Sequence, residues 1–130
     1  MKTLIKSEVE MGKWYSNTVP KCKEHNCSDE VLITCEHNGY LGKTVRRVIK
    51  AVYIPYHNAT VEDMGWNMYD GIPDDWEYYE EDDTWWIPQG WYEVADNFED
   101  FSFARVDGRV TAWMKLPKAY ECGIKELFVN

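Results

Sequence analysis

The stretch FSFARVDGRVTAWMKLP, residues 101–117, carries the strongest local fold signal in the chain. Asp-Gly at 107–108 is typical of a type I′ turn, because both central residues of that turn need positive φ. Such a turn pairs residue 106 with 109, 103 with 112 and 101 with 114, which predicts a half-buried antiparallel hairpin. Its apolar face would hold Phe101, Phe103, Val110, Ala112 and Met114, and its other face Ser102, Ala104, Arg109, Thr111 and Trp113. Arg105 is the polar exception on the apolar face, where it reaches water or marks the lip of a pocket.

Two more strands precede this hairpin. Residues 31–37 are rich in β-branched side chains and end at the turn signal HNGY, and residues 44–54 are strand-like up to Pro55. A short amphipathic helix is expected near residues 4–11 because apolar side chains recur there at spacings of four and seven. The sequence therefore predicts a mainly β fold, a small antiparallel sheet with a minor helical contribution, with α+β as the alternative. We expect one globular unit, with an N-terminal helix and loop extension at 1–29 and the β domain at 30–130.

The connection between these hairpins, residues 56–98, repeatedly places Gly or Pro beside Trp. Short strands are expected at TWWI, residues 84–87, and at WYEV, residues 91–94, on either side of Pro88-Gln89-Gly90. Loops of this length inside a domain are either functional or disordered. The tryptophans favour an ordered connection.

Composition limits the classes of partner. The chain has 130 residues, a formal charge of −9 and a pI near 4.7, so its average field repels nucleic acid and anionic membranes. The partner is expected to be a protein with a basic face, or a small molecule in a locally basic pocket. The longest apolar run near the N-terminus is Leu4-Ile5, too short for a secretion signal, which predicts a cytoplasmic protein with cysteines as thiols or ligands.

A possible zinc site lies between residues 22 and 37, where Cys22, His25, Cys27, Cys35 and His37 occur. Thiolates and imidazoles suit tetrahedral zinc, but the spacings are not the C-x2-C pairs of zinc ribbons and fingers. We favour the interpretation in which Cys35 is buried as a small apolar side chain and the others are solvated. No metal is assigned, and zinc binding stays open.

Enzymatic activity is not predicted. No Ser or Cys lies in a recognisable nucleophile motif with a histidine. In GYLG only two residues separate the glycines, where a phosphate-binding P-loop needs four. The exposed carboxylates are too many to single out an acid and base pair. The sequence thus predicts a non-enzyme with no cofactor.

The C-terminal run VTAWMKLP, with GWYEV and EVLIT before it, resembles the domain of unknown function 551, a small family common in phage and prophage genomes. Its members end in a Thr-x-Trp-Met-x-Leu-Pro run, matched here by Thr111, Trp113, Met114, Leu116 and Pro117. The resemblance covers roughly residues 30–120, and residues 1–29 depart from the usual opening. It implies a phage context, in which small proteins often counter host defence, and no established chemistry.

Residues 74–91, DDWEYYEEDDTWWIPQGW, combine seven acidic side chains in their first ten positions with a tryptophan cluster. The chain holds more large rings than a core of this size needs, and aromatic faces stack on nucleobases. Trp85 and Trp86 would point to opposite faces of a strand. The run KTVRRVIK supplies basic groups that hold a phosphate, or that pair with the acidic run. The predicted ligand-binding residues are Arg46, Arg47, Lys50, Trp66, Tyr69, Trp85, Trp86, Trp91, Tyr92, Arg105 and Trp113.

Two functional hypotheses follow. The first is a phage counter-defence protein that acts without catalysis as a sponge, sequestering a small host immune signalling nucleotide in an aromatic, locally basic pocket. A two-fold homodimer or higher oligomer would enclose such a ligand, in the cytoplasm of the infected bacterium. The alternative is an acidic inhibitor whose residues 74–83 imitate nucleic acid toward the basic channel of a host defence nuclease. Whether these carboxylates contact a partner or are only solvated stays open, as does the identity of the ligand.

Overall fold

The computed structural model describes residues 2–96 and 101–121. The chain is mainly β, as the sequence predicts, and its largest element is an antiparallel six-stranded sheet. The strands are β1 Lys2–Leu4, β2 Trp14–Tyr15, β3 Thr18–Pro20, β4 Val31–Asn38, β5 Thr44–Ile54, β6 Tyr78–Tyr79, β7 Thr84–Trp85, β8 Gly90–Asp96, β9 Phe101–Arg105 and β10 Arg109–Lys115. The order in the main sheet is β2-β10-β4-β5-β8-β9, while β1 pairs with β3 in parallel and β6 pairs with β7.

The central hairpin confirms the expected strands at 31–37 and 44–54. β4 and β5 pair antiparallel from Val31 opposite Ala51 to Asn38 opposite Thr44. β5 ends at Ile54, directly before Pro55, which has no N–H group to donate to a neighbouring strand. This hairpin is the centre of the sheet, and the later strands join it from both sides.

The predicted hairpin at 101–117 is wrong in its pairing, although both halves are strands. β9 pairs with β8 at one edge of the sheet, whereas β10 lies between β4 and β2. Gly108 has φ +110°, but Asp107 is not among the residues with positive φ, so the type I′ turn does not form. Instead Val106 donates its N–H to the Trp91 carbonyl and packs on the sheet. Residues 106–108 therefore carry the chain from one side of the sheet to the other.

A β-bulge in β10 also changes which side chains are buried. Val110 lies opposite Cys35 and Ala112 opposite Thr34, so Thr111 is an extra residue that interrupts the alternation. Trp113 then shares a face with Val110, and only 2% of it is exposed. The expected assignment of Trp113 to the outer face of a hairpin is thus wrong, because that assignment assumed an unbroken period of two.

Two core clusters lie on opposite faces of β5. One contains Val52, Ile54, Ala59, Ile87, Tyr92 and Val94, with Trp66 and Trp76 packed against it. The other contains Val31, Ile33, Cys35, Ala51 and Trp113, with Leu4, Val9 and Tyr15 against it. Successive side chains of a strand point to opposite faces, so the C-terminal half of β5 is buried on both sides.

The helix expected at residues 4–11 is wrong. Lys2–Leu4 is a strand and Lys6–Glu8 a single 3₁₀ turn, after which Val9 is extended. The N-terminal segment covers one core cluster with the apolar side chains that suggested the helix, and β2 joins the main sheet. Two other 3₁₀ turns lie at Tyr40–Gly42 and Glu80–Asp82.

Within residues 56–96 the expected order is present. The strand predicted at 84–87 is reduced to β7, and the strand predicted at 91–94 lies inside β8, while residues 97–98 fall outside the described chain. The single α-helix of the described residues, α1 at Val61–Met64, begins at a capping box formed by Thr60 and Asp63. No helix in the described part of the chain is long and apolar enough to span a membrane.

Candidate functional site

The basic residues predicted to bind a ligand are paired with carboxylates. Arg46 donates from Nε and Nη2 to Glu36 Oε2 at 3.2 and 2.9 Å. Arg47 Nη2 lies 3.7 Å from Glu93 Oε1, while Lys50 Nζ lies 3.4 Å from Glu30 and 3.8 Å from Asp96. These partners are not the acidic run at 74–83, which was the expected alternative. The cations of β5 are therefore largely neutralised, and they lie on both faces of the strand.

The predicted aromatic residues contact one another. Trp66 stacks on Phe103 with centroids 5.0 Å apart and meets the edge of Tyr92. Trp91 packs edge-on against Tyr53 on the opposite face of the sheet. Trp113 stacks on Tyr15, and its Nε1 donates to Thr18 Oγ1 at 3.0 Å. These indoles fill the two core clusters, and the Trp66 Nε1 is buried with no hydrogen-bond partner.

A second group of rings forms a stack at the surface. Tyr56, His57, Trp86 and Tyr79 lie nearly parallel, with successive centroids 4.0, 4.7 and 4.5 Å apart. His57 Nε2 lies 2.7 Å from Glu77 Oε2.

Trp85 packs on Tyr78 rather than in this stack, as opposite faces require. Tyr69 is 92% exposed, and Arg105 is exposed at the edge strand β9. Within the described residues, the predicted binding residues are therefore spread over both sheet faces and the surface, and they do not converge on one pocket.

A groove of about 430 Å³ lies between the N-terminal segment, the chain after β3 and the end of β10. Its apolar lining consists of Leu4, Val9, Pro20, Val31, Trp113 and Leu116. Its remaining lining consists of Lys6, Lys21, Lys23, Lys115, Asn26, Cys27, Asp29 and Glu30. We refer to it as the lysine-rimmed groove.

The charges of the lysine-rimmed groove are unbalanced. Lys6 Nζ lies 3.4 Å from Asp29 Oδ2, and Glu30 is bound from outside the groove by Lys50. Among residues 2–96 and 101–121, no carboxylate lies within ion-pairing distance of Lys21, Lys23 or Lys115. The rim is thus locally positive in a chain whose net charge is −9.

Hydrogen bonds hold the loop that carries Lys21 and Lys23. The Asn58 side-chain amide donates to the carbonyls of Lys23 and Asn26 at 2.9 and 2.7 Å. Ser28 exchanges bonds with the backbone of Tyr53, accepting at Oγ and donating its own N–H. Lys115 is placed by its pairing with Val31 at the end of β10. The rim is thereby fixed to β4, β5 and the connection that follows β5.

The cysteines near the groove are neutral thiols at physiological pH. Burial raises the pKa of Cys22 to about 12, and the nearby Cys27 and Asp29 raise it further. Burial also raises the pKa of Cys27. A raised pKa disfavours the thiolate that nucleophilic attack and metal binding require.

The five residues of the possible zinc site are dispersed. Cys27 packs against the cluster around Ile54, whereas Cys35 belongs to the cluster on the opposite face. His25 Nδ1 lies 3.6 Å from Asp63 Oδ2, and His37 lies at the far end of β4. In the described part of the chain, no three His, Cys, Asp or Glu side chains are arranged to hold a metal ion.

A second hollow, of about 630 Å³, lies where the β4–β5 hairpin meets residues 107–109. It is larger but shallow and polar, and Arg109 there is 3.6 Å from Glu36 Oε1. His37 Nδ1 is buried near it without a hydrogen-bond partner. With an open shape and carboxylates from Glu36 and Asp107, this hollow encloses a ligand less well than the lysine-rimmed groove.

Sequence reasoning missed the lysine-rimmed groove because its parts are distant along the chain. Lys21 and Lys23 flank Cys22 directly after Pro20, and Lys115 follows more than ninety positions later. The local signal was the KCK triplet in an otherwise polar segment. The missing information was the pairing of β10 with β4, which brings Lys115 to the same end of the sheet.

Comparisons of the chain with protein-family models, curated proteins and solved structures found no match. The resemblance to the domain of unknown function 551 therefore stays a prediction. Function is inferred from the groove and from the distribution of charge.

Proposed function

We propose that the chain is a non-enzymatic binding protein that holds a small anionic ligand of nucleotide size in the lysine-rimmed groove. The observation that carries this proposal is the set of three lysines without carboxylate partners above an apolar floor. In the biological setting implied by the resemblance, the ligand is a host immune signalling nucleotide, sequestered by a phage protein in the bacterial cytoplasm. This site replaces the one expected around Arg46, Arg47 and Lys50.

The physical case rests on size and local charge. Ligand sites for small molecules occupy roughly 300–1,000 Å³ and combine an apolar lining with a few polar groups. A lysine ammonium attracts phosphate as a point charge, and charge-assisted contacts are about twice as strong as neutral ones. Exposed charges are screened beyond about 8 Å at physiological salt, so the distant carboxylates oppose a small anion only weakly. An extended polyanion would meet the whole acidic surface and be repelled.

The chemistry of the lining supports binding without turnover. Cys27 has a raised pKa, and the two carboxylates of the groove, Asp29 and Glu30, each have a lysine partner. A general base needs a free lone pair near the reacting proton, and a nucleophile needs an activating neighbour. The groove lining offers charge and surface rather than such a pair.

Calorimetry tests the proposal with a panel of cyclic dinucleotides, cyclic oligonucleotides and ADP-ribose derivatives at micromolar protein. We expect one class to bind, and the double variant Lys21→Gln/Lys23→Gln to bind it about tenfold more weakly or worse, since two charge-assisted contacts are lost. Lys43→Gln, which removes an exposed lysine from the tip of the β4–β5 hairpin, is the matched control and should bind like the wild type.

Absence of binding across the panel would reject the nucleotide ligand. Equal binding by the double variant and the wild type would instead reject the groove as the site. A nucleotide released from the purified protein on denaturation, seen in the nucleobase absorption band, would support the proposal directly.

The acidic inhibitor is the second candidate, favoured by the exposure of Glu80, Glu81, Asp82 and Asp83. The Tyr79 hydroxyl donates to Glu81 and the Tyr78 hydroxyl to Asp83, which raises the pKa of both phenols. No cation pairs with these four carboxylates within residues 2–96 and 101–121.

Pull-down from host lysate at low and high salt tests the inhibitor. We expect a nucleic-acid-binding enzyme that is captured only at low salt. Capture that persists after the four carboxylates are changed to amides would reject this candidate.

A further inference from the structure

The β4–β5 hairpin projects from the sheet at its turn end. β10 pairs with β4 only as far as Glu36, and β8 pairs with β5 only from Ala51 onward. Residues 40–48 are all exposed. We define residues 36–48 as the arm. In the described chain the arm has no strand partner beyond its own hairpin after Glu36, so both of its faces are open to another molecule.

The tip of the arm presents large apolar side chains to solvent. Tyr40 is 88% and Leu41 80% exposed, and Val48 lower on the arm is 54% exposed. Leu41 also has φ 60° and ψ 28°, a left-handed conformation that costs a residue with a side chain about 1–2 kcal/mol. Asn or Gly is the ordinary occupant of such a position. Neither packing nor turn chemistry accounts for a leucine here, whereas burial against another molecule does.

The arm also differs from the rest of the chain in charge. It carries Lys43, Arg46 and Arg47 against the single carboxylate of Glu36, while the whole chain has a net charge of −9. Between two identical molecules, contact of arm with arm is repulsive and contact of arm with body is attractive. The same net charge opposes approach to an anionic bilayer. Charge therefore favours a second copy of this chain as the occupant.

We propose that the arm docks on the body of a second copy, with Tyr40 and Leu41 buried at the contact and the basic stem facing carboxylates. A two-fold arrangement lets each copy insert its arm once, which closes the assembly at a dimer. The dimer is independent of the proposed ligand, because the arm and the lysine-rimmed groove share no residue.

Sedimentation velocity over a protein concentration series tests the dimer. We expect a reversible monomer–dimer equilibrium that weakens at high salt. The variant Tyr40→Ser/Leu41→Asn should raise the dimer dissociation constant by about tenfold or more, since it removes both apolar anchors. Asn suits the left-handed position, so this variant should fold like the wild type, as circular dichroism checks. Tyr69→Ser removes an equally exposed tyrosine elsewhere and should not change the dissociation constant.

Lys43→Glu gives a second readout that a change in folding would not imitate. It should weaken the dimer at low salt and have little effect at high salt. A wild-type protein that stays monomeric at every concentration overturns the proposal, as does dimerisation unchanged in the Tyr40→Ser/Leu41→Asn variant. Sedimentation of the monomer with anionic lipid vesicles, lost in the same variant, would identify a membrane as the occupant and would also overturn it.

Discussion

The two halves of β5 have the same backbone structure and opposite environments. Residues 44–48, TVRRV, are exposed throughout, whereas residues 51–54, AVYI, are buried on both faces of the sheet. β4 pairs with both halves, but β8 and the two core clusters reach only the second. The comparison teaches that strand formation in this chain is local, whereas burial depends on segments that arrive from far along the sequence.

The largest expected contrast comes from removing an apolar side chain in each half. Ile54 is 0% exposed, so Ile54→Ala should lower the free energy of unfolding by about 2–5 kcal/mol through lost burial and a residual cavity. Val48→Ala, at a position 54% exposed, should change it by no more than about 0.5 kcal/mol. Urea denaturation followed by tryptophan fluorescence measures both values.

Similar costs for the two variants would break the comparison. A large cost at Val48 under dimer-forming conditions, lost on dilution, would instead place Val48 within the dimer contact of the arm. The measurement is therefore best made at several protein concentrations.

The next contrast concerns two glycines with positive φ. A Cβ on Gly108 would lie 2.4 Å from the Glu36 carbonyl oxygen, whereas a Cβ on Gly42 would meet no atom within 4 Å. Gly108→Ala should therefore cost about 2–3 kcal/mol, from backbone strain together with the clash. Gly42→Ala, at the tip of the arm, should cost about 1 kcal/mol from strain alone.

Thermal denaturation of the two alanine variants gives the order of their effects. Equal midpoints would show that the close approach of residues 106–108 to β4 is not needed for stability. The crossing of the sheet between β9 and β10 would then rest on Val106 alone.

The sequence predicted strands well and pairing poorly, for a physical reason. Strand signals are local: β-branched residues, alternation and Pro55 defined β4 and β5 to within a residue. Pairing of 101–105 with 109–115 rested on Asp107-Gly108, a signal that a two-residue turn and a chain crossing share. The packing of Val106 and the bulge at Thr111 decided between them, and both depend on distant strands.

The candidate site was less predictable than the fold. Charge and ring content correctly described what the chain contains, but each predicted cation met a carboxylate that only the sheet register brings near, as with Arg47 and Glu93. The rings of Trp66 and Trp91 found other rings in the same way. Groups left without partners, such as Lys21 and Lys115, are identified only after all partners are placed.

Alkaline pH should weaken the buried half selectively through Tyr92. Burial raises the pKa of Tyr92 to about 12 from 10.0, and its hydroxyl donates to the Pro88 carbonyl at 2.7 Å. A folded-state pKa above the unfolded value means that this stabilisation is complete below pH 10 and is lost as pH rises toward 12. Tyr92→Phe should cost about 1 kcal/mol at neutral pH through the lost hydrogen bond.

The difference between wild type and Tyr92→Phe should disappear near about pH 11, because each pH unit above 10 removes about 1.4 kcal/mol from the wild type alone. Urea denaturation of both proteins at neutral pH and at several alkaline values measures this. A difference that stays constant with pH would show that Tyr92 ionises in the folded state as freely as in the unfolded one, and hence that the face covered by Trp66 is open to water.

The smallest expected effect belongs to the ion pairs of the exposed half. A double-mutant cycle with Arg46→Gln and Glu36→Gln should give a coupling energy of about 0.5–1 kcal/mol that falls as salt is added, because the guanidinium is solvated. Arg109 also faces Glu36, so the coupling is best measured again in an Arg109→Gln background. A coupling that is well above 1 kcal/mol and insensitive to salt would mean that water is excluded from this pair. The arm would then be stabilised by its own charges as firmly as residues 51–54 are by apolar burial, and the contrast between the two halves of β5 would concern the kind of interaction rather than its strength.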